Sequence, residues 1–305
     1  MRTSIADVST TGRVAGSRQG LAQTLAPFLE LTKPRVTSMV LLTTAAGYYL
    51  GSAGGVSVVG LVCVLLGTGL LAGGTAVLNQ FMERDADRLM RRTAQRPLPS
   101  GKVSAQQALH FGMLMVSLGT IFLLATTNLT TAFLGWLTSV IYLLVYTPMK
   151  TRSPWCTLVG AVPGAIPPVM GWTAAHGALT VEAVVLFGIL FCWQFPHFLA
   201  IAWVYREDYE RGGFLMLPRG HRRGTWTGLA ILLFSLLLLP VSLAPYWIGL
   251  DGLAYLIASV VLGVGFLWFS LNVARLQTRF SARRLLQSSV AYLPFLLLFL
   301  TIGKL

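Results

Sequence analysis

Apolar positions in this chain do not alternate with polar ones. They gather into runs near 20 residues, at about 36–52, 56–80, 104–124, 129–147, 157–174, 180–205, 225–246, 252–272 and 285–303. A helix needs roughly 20 apolar residues to cross a hydrocarbon core of about 30 Å. The pattern therefore predicts an all-α, polytopic membrane protein with about nine transmembrane helices, residues 36–305. A polar N-terminal segment, residues 1–35, precedes them.

The connections between runs differ in charge. Segments 52–56, 126–131, 174–180 and 245–252, which follow the odd-numbered runs, contain no Lys or Arg. The N-terminal segment and the even-numbered connections hold 22 of the 23 basic residues, and only Lys304 lies elsewhere. A miscount by one span would scatter these charges over both faces. Positive charge collects on the cytoplasmic side, so the N-terminus is expected inside and the C-terminus outside. The first 35 residues lack the apolar core of a secretory signal. Ser, Thr and Arg give them a faint transit-peptide character, which Asp7 opposes, and they read as a cytoplasmic tail.

Composition agrees. The chain is 55% hydrophobic and 11% charged with mean hydropathy +0.70, whereas soluble domains are about a quarter charged. Soluble, disordered and disulfide-framework classes are excluded. Cys63, Cys156 and Cys192 have no metal-ligand spacing and read as buried free thiols. A net charge of +13 in a soluble protein would suggest nucleic acid; here it sets topology and attracts anionic lipid, and no nucleic-acid partner is expected.

Two basic connections also carry acids. In the first, Asn79, Glu83 and Asp87 recur every fourth residue. If the second helix continues past the membrane, they share an arc of roughly 80°. They form either a charged helix end at the headgroups or a half-cage of oxygens for a hard cation such as Mg²⁺, completed by substrate oxygens. Asp85 points elsewhere, toward Arg84 or Arg88. Arg91, Arg92 and Arg96 follow, ahead of the stiff Pro97-Leu98-Pro99-Ser100-Gly101 loop, and arginines there can hold phosphate oxygens. In the second, the sixth run places Gln194, Pro196 and His197 within the apolar layer. On one continuous helix His197, Ile201, Tyr205 and Asp208 share a stripe, and Pro196 should kink it. Polar groups at that depth need a partner or a cavity. Glu207 and Glu210 flank Asp208. His110, His176 and His221 have no such company and read as ordinary.

From Leu31 onward the chain resembles the UbiA-type membrane prenyltransferases. The resemblance rests on Leu31-Thr32-Lys33-Pro34-Arg35-Val36, Asn79-x3-Glu83-x3-Asp87, Arg92-Thr93, Arg96-Pro97 and Tyr146-Thr147 with Lys150. It continues in Gly164 to Pro168, Gly171-Trp172, Trp193-Gln194-Phe195-Pro196-His197-Phe198, Asp208-Tyr209 and Met216-Leu217-Pro218. The first acidic motif and the Arg-Pro-Leu-Pro-Ser-Gly loop belong to the whole family; the Trp-Gln-x-Pro-His-Phe and Asp-Tyr pieces mark its heme-prenylating branch. The chain departs from the pattern at Thr151 and Cys156, where the family has Arg and Asn.

The resemblance implies transfer of farnesyl from farnesyl diphosphate to a vinyl group of heme b, with water addition, giving heme O. It implies Mg²⁺ held by Asn79, Glu83 and Asp87 with Asp208 assisting, and His197 joining these four as a catalytic residue. Arg92, Arg96, Lys150 and Arg206 are the expected diphosphate ligands. Lys33, Arg35, Trp193, Gln194, Phe198 and Tyr205 are expected in the substrate pocket, with Trp203 among the aromatics that would face an allylic cation. The lipid bilayer of a bacterial inner membrane is the implied setting, and heme A synthase or a terminal oxidase the implied downstream partner. The rival readings are a UbiA-type enzyme acting on a quinone precursor or chlorin, and a transporter. Transporters often show internal repeats with interrupted helices, and the sequence contains no convincing repeat.

Overall fold

The computed structural model describes residues 25–218, 220 and 223–304. His221 and residues 1–24 of the expected tail lie outside the described residues. Within them the secondary structure is helical, with no strand. The helices are α1 (Pro34–Gly51), α2 (Val58–Leu89), α3 (Ala105–Thr126), α4 (Leu129–Met149), α5 (Cys156–His176), α6 (Val181–Val204), α7 (Arg206–Arg211), α8 (Arg223–Trp247), α9 (Leu253–Leu276) and α10 (Arg279–Ile302).

Eight of the described helices, α2 to α6 and α8 to α10, are long and apolar enough to cross a bilayer. The first expected span, α1, has 18 residues and reaches about 27 Å, but Pro34, Arg35 and three threonines make it less apolar. It turns that polarity inward: Thr43 and Thr44 are buried, and both hydroxyls donate to Val40 O.

Helix starts follow from local chemistry. Ser57, Asn128 and Thr278 each accept a backbone N–H in the first turn, and Ser104 with Gln107 forms a reciprocal capping box. Buried polar pairs join helices where lipid gives apolar faces no reason to associate: Thr75 with Ser139, Thr131 with Thr173, Ser235 with Ser270 and Ser242 with Tyr292.

Three boundaries differ from the sequence pattern. At 32 residues α2 spans about 48 Å, so its last turns project beyond the apolar layer. α10 begins at Arg279, six residues before its apolar run, because the four arginines of the eighth connection lie on helix ends; only Gln277 and Thr278 separate α9 from α10. Residues 25–31, expected in the tail, are helical, with Leu31 fully buried against Val77, Leu98 and Val103 and its carbonyl accepting from Gln80 Nε2 at 2.6 Å. Of the three free thiols, Cys156 and Cys192 are buried and Cys63 is half-buried.

Lys304, the basic residue outside the charge pattern, caps the end of α1. Its Nζ donates to the carbonyls of Tyr49, Leu50 and Ser52 at 2.6–2.8 Å, where a cation meets the negative end of the helix dipole. Lys304→Met should cost about 2 kcal/mol, seen as a lower melting temperature in detergent with turnover per folded molecule unchanged. An unaltered melting temperature would count against this capping role.

Candidate functional site

Because α2 runs unbroken to Leu89, Asn79, Glu83 and Asp87 do share one face, and all three are buried. A buried carboxylate needs a charge partner, and each polar group has found one. Lys33 Nζ donates to Asn79 Oδ1 at 3.1 Å, and Asn79 Nδ2 donates to Thr147 Oγ1 at 3.1 Å. Lys150 Nζ binds Glu83 Oε1 at 2.7 Å. An Arg96 guanidinium nitrogen binds Asp87 Oδ2 at 2.8 Å. Asp87 Oδ1 is buried with no hydrogen-bond partner.

Local sequence explains how the three cations arrive. Met90 takes an extended conformation and ends α2; Thr93 Oγ1 then donates to Asp87 O, and the turn through Pro97 folds Arg96 back over the helix end. Lys33 sits in the left-handed region at φ 49°. Pro34 disfavours the right-handed helical region for its predecessor, and the resulting turn points Lys33 at Asn79. Lys150 follows a π-turn over Ile141–Tyr146. Pro148 supplies no N–H there, while the Thr147 amide and hydroxyl both reach Tyr142 O. The π-turn brings the Tyr142 and Tyr146 rings to 5.0 Å, edge to face, with Lys150 Nζ 4.6 Å from the Tyr146 centroid.

The cluster holds two acids and three cations. Burial first, and then Arg96, with a further contribution from Lys150, lowers the Lys33 pKa to about 7 against the pull of Glu83 and Asp87. For Lys150 burial also opposes the charge, but Tyr146 and Glu83 outweigh it and hold the ammonium well above its ordinary value. Such a surplus of positive charge favours a polyanionic ligand.

Other expected site residues lie elsewhere. The helix breaks at Tyr205, so Asp208 sits on α7 and does not continue the His197 stripe. The Asp208 carboxylate binds Arg211 and the Arg91 amide; burial opposes its charge, but these bonds and Arg92 hold its pKa below the ordinary value. Arg92 is exposed, with its guanidinium 4.8 Å from the Tyr205 ring and bonded to Tyr209 Oη. Arg35 is exposed too. Arg206 lies over Trp203 and does not join the cations paired with Asn79, Glu83 and Asp87. His197 Nδ1 pairs with Ser289 Oγ at 2.7 Å and its ring stacks on Trp193, whose Nε1 donates to Ser289 O. Gln194 Nε2 donates to Ala161 O and Leu190 O. These α6 residues, with Phe198 against the His197 ring, tie α6 to α5 and α10. The expected kink at Pro196 leaves α6 a single helix. Of the ordinary histidines, His110 is exposed and His176 packs against Trp172 with the rings tilted 34°.

Tyr142 and Phe214 are not among the residues the sequence points to, and Tyr209 enters there only as part of the Asp208-Tyr209 motif. Phe214 stands 5.8 Å from Lys150 Nζ, and Leu215 N donates to Lys150 O. Pro148 was the available signal for the π-turn that places Tyr142.

A divalent cation fits this chemistry. No group of three His, Cys, Asp or Glu side chains that could hold a metal exists among the described residues, so Asp208 does not complete a protein cage. Mg²⁺ takes one or two carboxylates and fills its remaining positions with water and phosphate oxygens. The bare Asp87 oxygen, Glu83 and the Asn79 carbonyl match that sparse demand.

The UbiA prenyltransferase family matches residues 40–300. The chain is 45% identical to a protoheme IX farnesyltransferase of Solibacter usitatus, over 88% of this chain and 95% of that one. It is 44% identical to one from Koribacter versatilis, over 94% and 96%. Among solved structures, the bundle superposes on a digeranylgeranylglyceryl phosphate synthase with TM-score 0.78 at 18% identity, covering 92% of this chain and 98% of the other. It also superposes on a UbiA homologue from Archaeoglobus fulgidus bound to DMAPP and Mg²⁺, with TM-score 0.64 at 17% identity over 88% and 99%.

Proposed function

The chain belongs to the UbiA prenyltransferase family, and from that premise we propose that it transfers the farnesyl group of farnesyl diphosphate to a vinyl group of protoheme IX, with addition of water, giving heme O. It is an integral membrane, prenyl-transferring enzyme. The observation that carries the chemistry is the cluster of buried Asn79, Glu83 and Asp87 with half-buried Lys33, Arg96 and Lys150, with one unpaired carboxylate oxygen at the charged end of an apolar bundle. The acceptor is supported by the relatives, which carry the name protoheme IX farnesyltransferase.

Asn79, Glu83 and Asp87 would hold Mg²⁺, which when bound neutralises the charge of the leaving diphosphate. Lys33, Arg96 and Lys150 aim cationic donors at oxygens whose charge grows as the allylic C–O bond breaks. An anion among them favours the Lys33 charge that burial, Arg96 and Lys150 disfavour. The Tyr142 and Tyr146 ring faces already flank the Lys150 ammonium, and such faces equally suit an allylic carbocation. Burial of Asn79 and Asp87 keeps water from capturing that cation before the vinyl group does. The cation then adds to the vinyl carbon, water takes the new cationic centre, and a proton departs.

The charge partition supports an inner-membrane protein with a cytoplasmic N-terminus, so the cluster lies on the cytoplasmic side. Heme A synthase or a terminal oxidase is the class of partner that would consume the product.

Membranes containing the protein, given heme b, farnesyl diphosphate and Mg²⁺, should yield a heme heavier by one farnesyl group and one hydroxyl. EDTA should abolish that product. A prenylated hydroxybenzoate in its place would move the chain to the quinone branch of the family.

A further inference from the structure

Arg206 stands apart from the diphosphate cluster, and the acid beside it, Glu207, lies closer to Arg279, at 3.3 Å. Its Nη1 donates to Trp203 O at 3.1 Å, its guanidinium lies 5.3 Å from the Trp203 ring, and its one ion-pair distance among the described residues is 4.0 Å, to Glu207. A guanidinium carries five N–H donors in a planar fork suited to a carboxylate. Arg206 lines a cavity of about 230 Å³, together with Ala202, Tyr209, Phe214, Met216 and Leu217.

That cavity neighbours the diphosphate cluster through Phe214, whose ring lies 5.8 Å from Lys150 Nζ. Tyr209 and Phe214 line it, and the same residues meet Arg92 and Lys150. The donor's reacting carbon is bonded to its diphosphate, so the acceptor's vinyl group must come up beside that cluster. The diphosphate uses Lys33, Arg96 and Lys150. The acceptor's propionate carboxylates leave the macrocycle from the half opposite its vinyl groups, so they need a separate cation. The cavity is too small for the macrocycle but holds a propionate arm and a few waters, each of which takes roughly 30 Å³. Glu210 also lines it.

The geometry points to Arg206 as the residue that receives one carboxylate of the acceptor, in a subsite separate from the diphosphate site. This inference rests on the acceptor proposed above. It also reassigns Arg206 from the diphosphate role that the sequence pattern implies.

The test uses the purified full chain in detergent, with heme b and its dimethyl ester as acceptors. R206Q should raise the KM for heme b about tenfold, leaving kcat and the KM for farnesyl diphosphate unchanged. Wild-type enzyme with the dimethyl ester should show the same raised KM, and R206Q should lose nothing further with the ester. The ester comparison needs no variant, so a misfolded R206Q would not block the test. A raised farnesyl diphosphate KM in R206Q, equal losses on both acceptors, or full wild-type affinity for the ester would each overturn the assignment. Absence of wild-type turnover with heme b would overturn the acceptor itself, and is read independently of the variant.

Discussion

Asp87→Asn is expected to lower farnesyl transfer at least about a thousandfold while the protein stays folded in the membrane. Removing one donor to a developing oxyanion typically costs on the order of 10²–10³ in rate. This substitution removes more. It takes the negative charge that holds Arg96 at 2.8 Å and the unpaired oxygen best placed for a cation. Asn keeps the size of the side chain, so packing beneath Thr93 and Met90 is spared. The measurement is the mass assay for farnesylated heme, alongside size-exclusion and circular dichroism in detergent. Asp85→Asn is the control, because Asp85 is exposed and lies 3.8–3.9 Å from Arg84 and Arg88. It should retain near-normal turnover. If Asp87→Asn retains more than a tenth of wild-type activity, the metal-and-diphosphate reading of this cluster is lost.

The bundle could be read from sequence because a bilayer forces every span to declare itself as a long apolar run. The shared face of Asn79, Glu83 and Asp87 was equally legible, since helical periodicity is local and α2 needed only to continue. What the sequence hid was set by contacts between distant segments. Lys33 and Lys150 lie 46 and 67 residues from their partners on α2, and no spacing rule identifies Arg96 over Arg92 as the arginine that turns inward. Asp208 was placed on the His197 stripe by assuming one helix, and the break at Tyr205 undid that arithmetic. His197 and Gln194 looked like site residues because polar groups in an apolar run are costly. Their cost is met by Ser289 Oγ and the Ala161 carbonyl, across helix interfaces. The weak hydropathy of α1 had a similar answer, and it leads to a second large effect.

Gly171→Ala should destabilise the protein by about 3 kcal/mol or more, although only one methyl group is added. The Gly171 backbone on α5 lies so close to α1 that a Cβ would overlap the Thr44 carbonyl oxygen, and Gly47 faces Pro168 O in the same way. Overpacking usually costs about 1–3 kcal/mol because side chains can shift. Here backbone meets backbone, so the helices themselves must separate. The least apolar of the bundle's long helices then loses its seat. α1 has inward-turned threonines and Arg35, and its place in the membrane depends on packing against α5 more than on hydropathy. Its N-terminal end also carries Lys33 to Asn79, so a displaced α1 disturbs the site as well as the fold. Gly265→Ala is the matched control, since nothing lies within 4 Å of its would-be Cβ, and it should leave the melting temperature unchanged or slightly raised. Thermal melts in detergent followed by size-exclusion would separate the two. Equal melting temperatures for both variants would mean that α1 is held by lipid, not by α5. A drop confined to Gly171→Ala, with lost activity tracking lost folded protein, would show that close backbone packing secures the first helix.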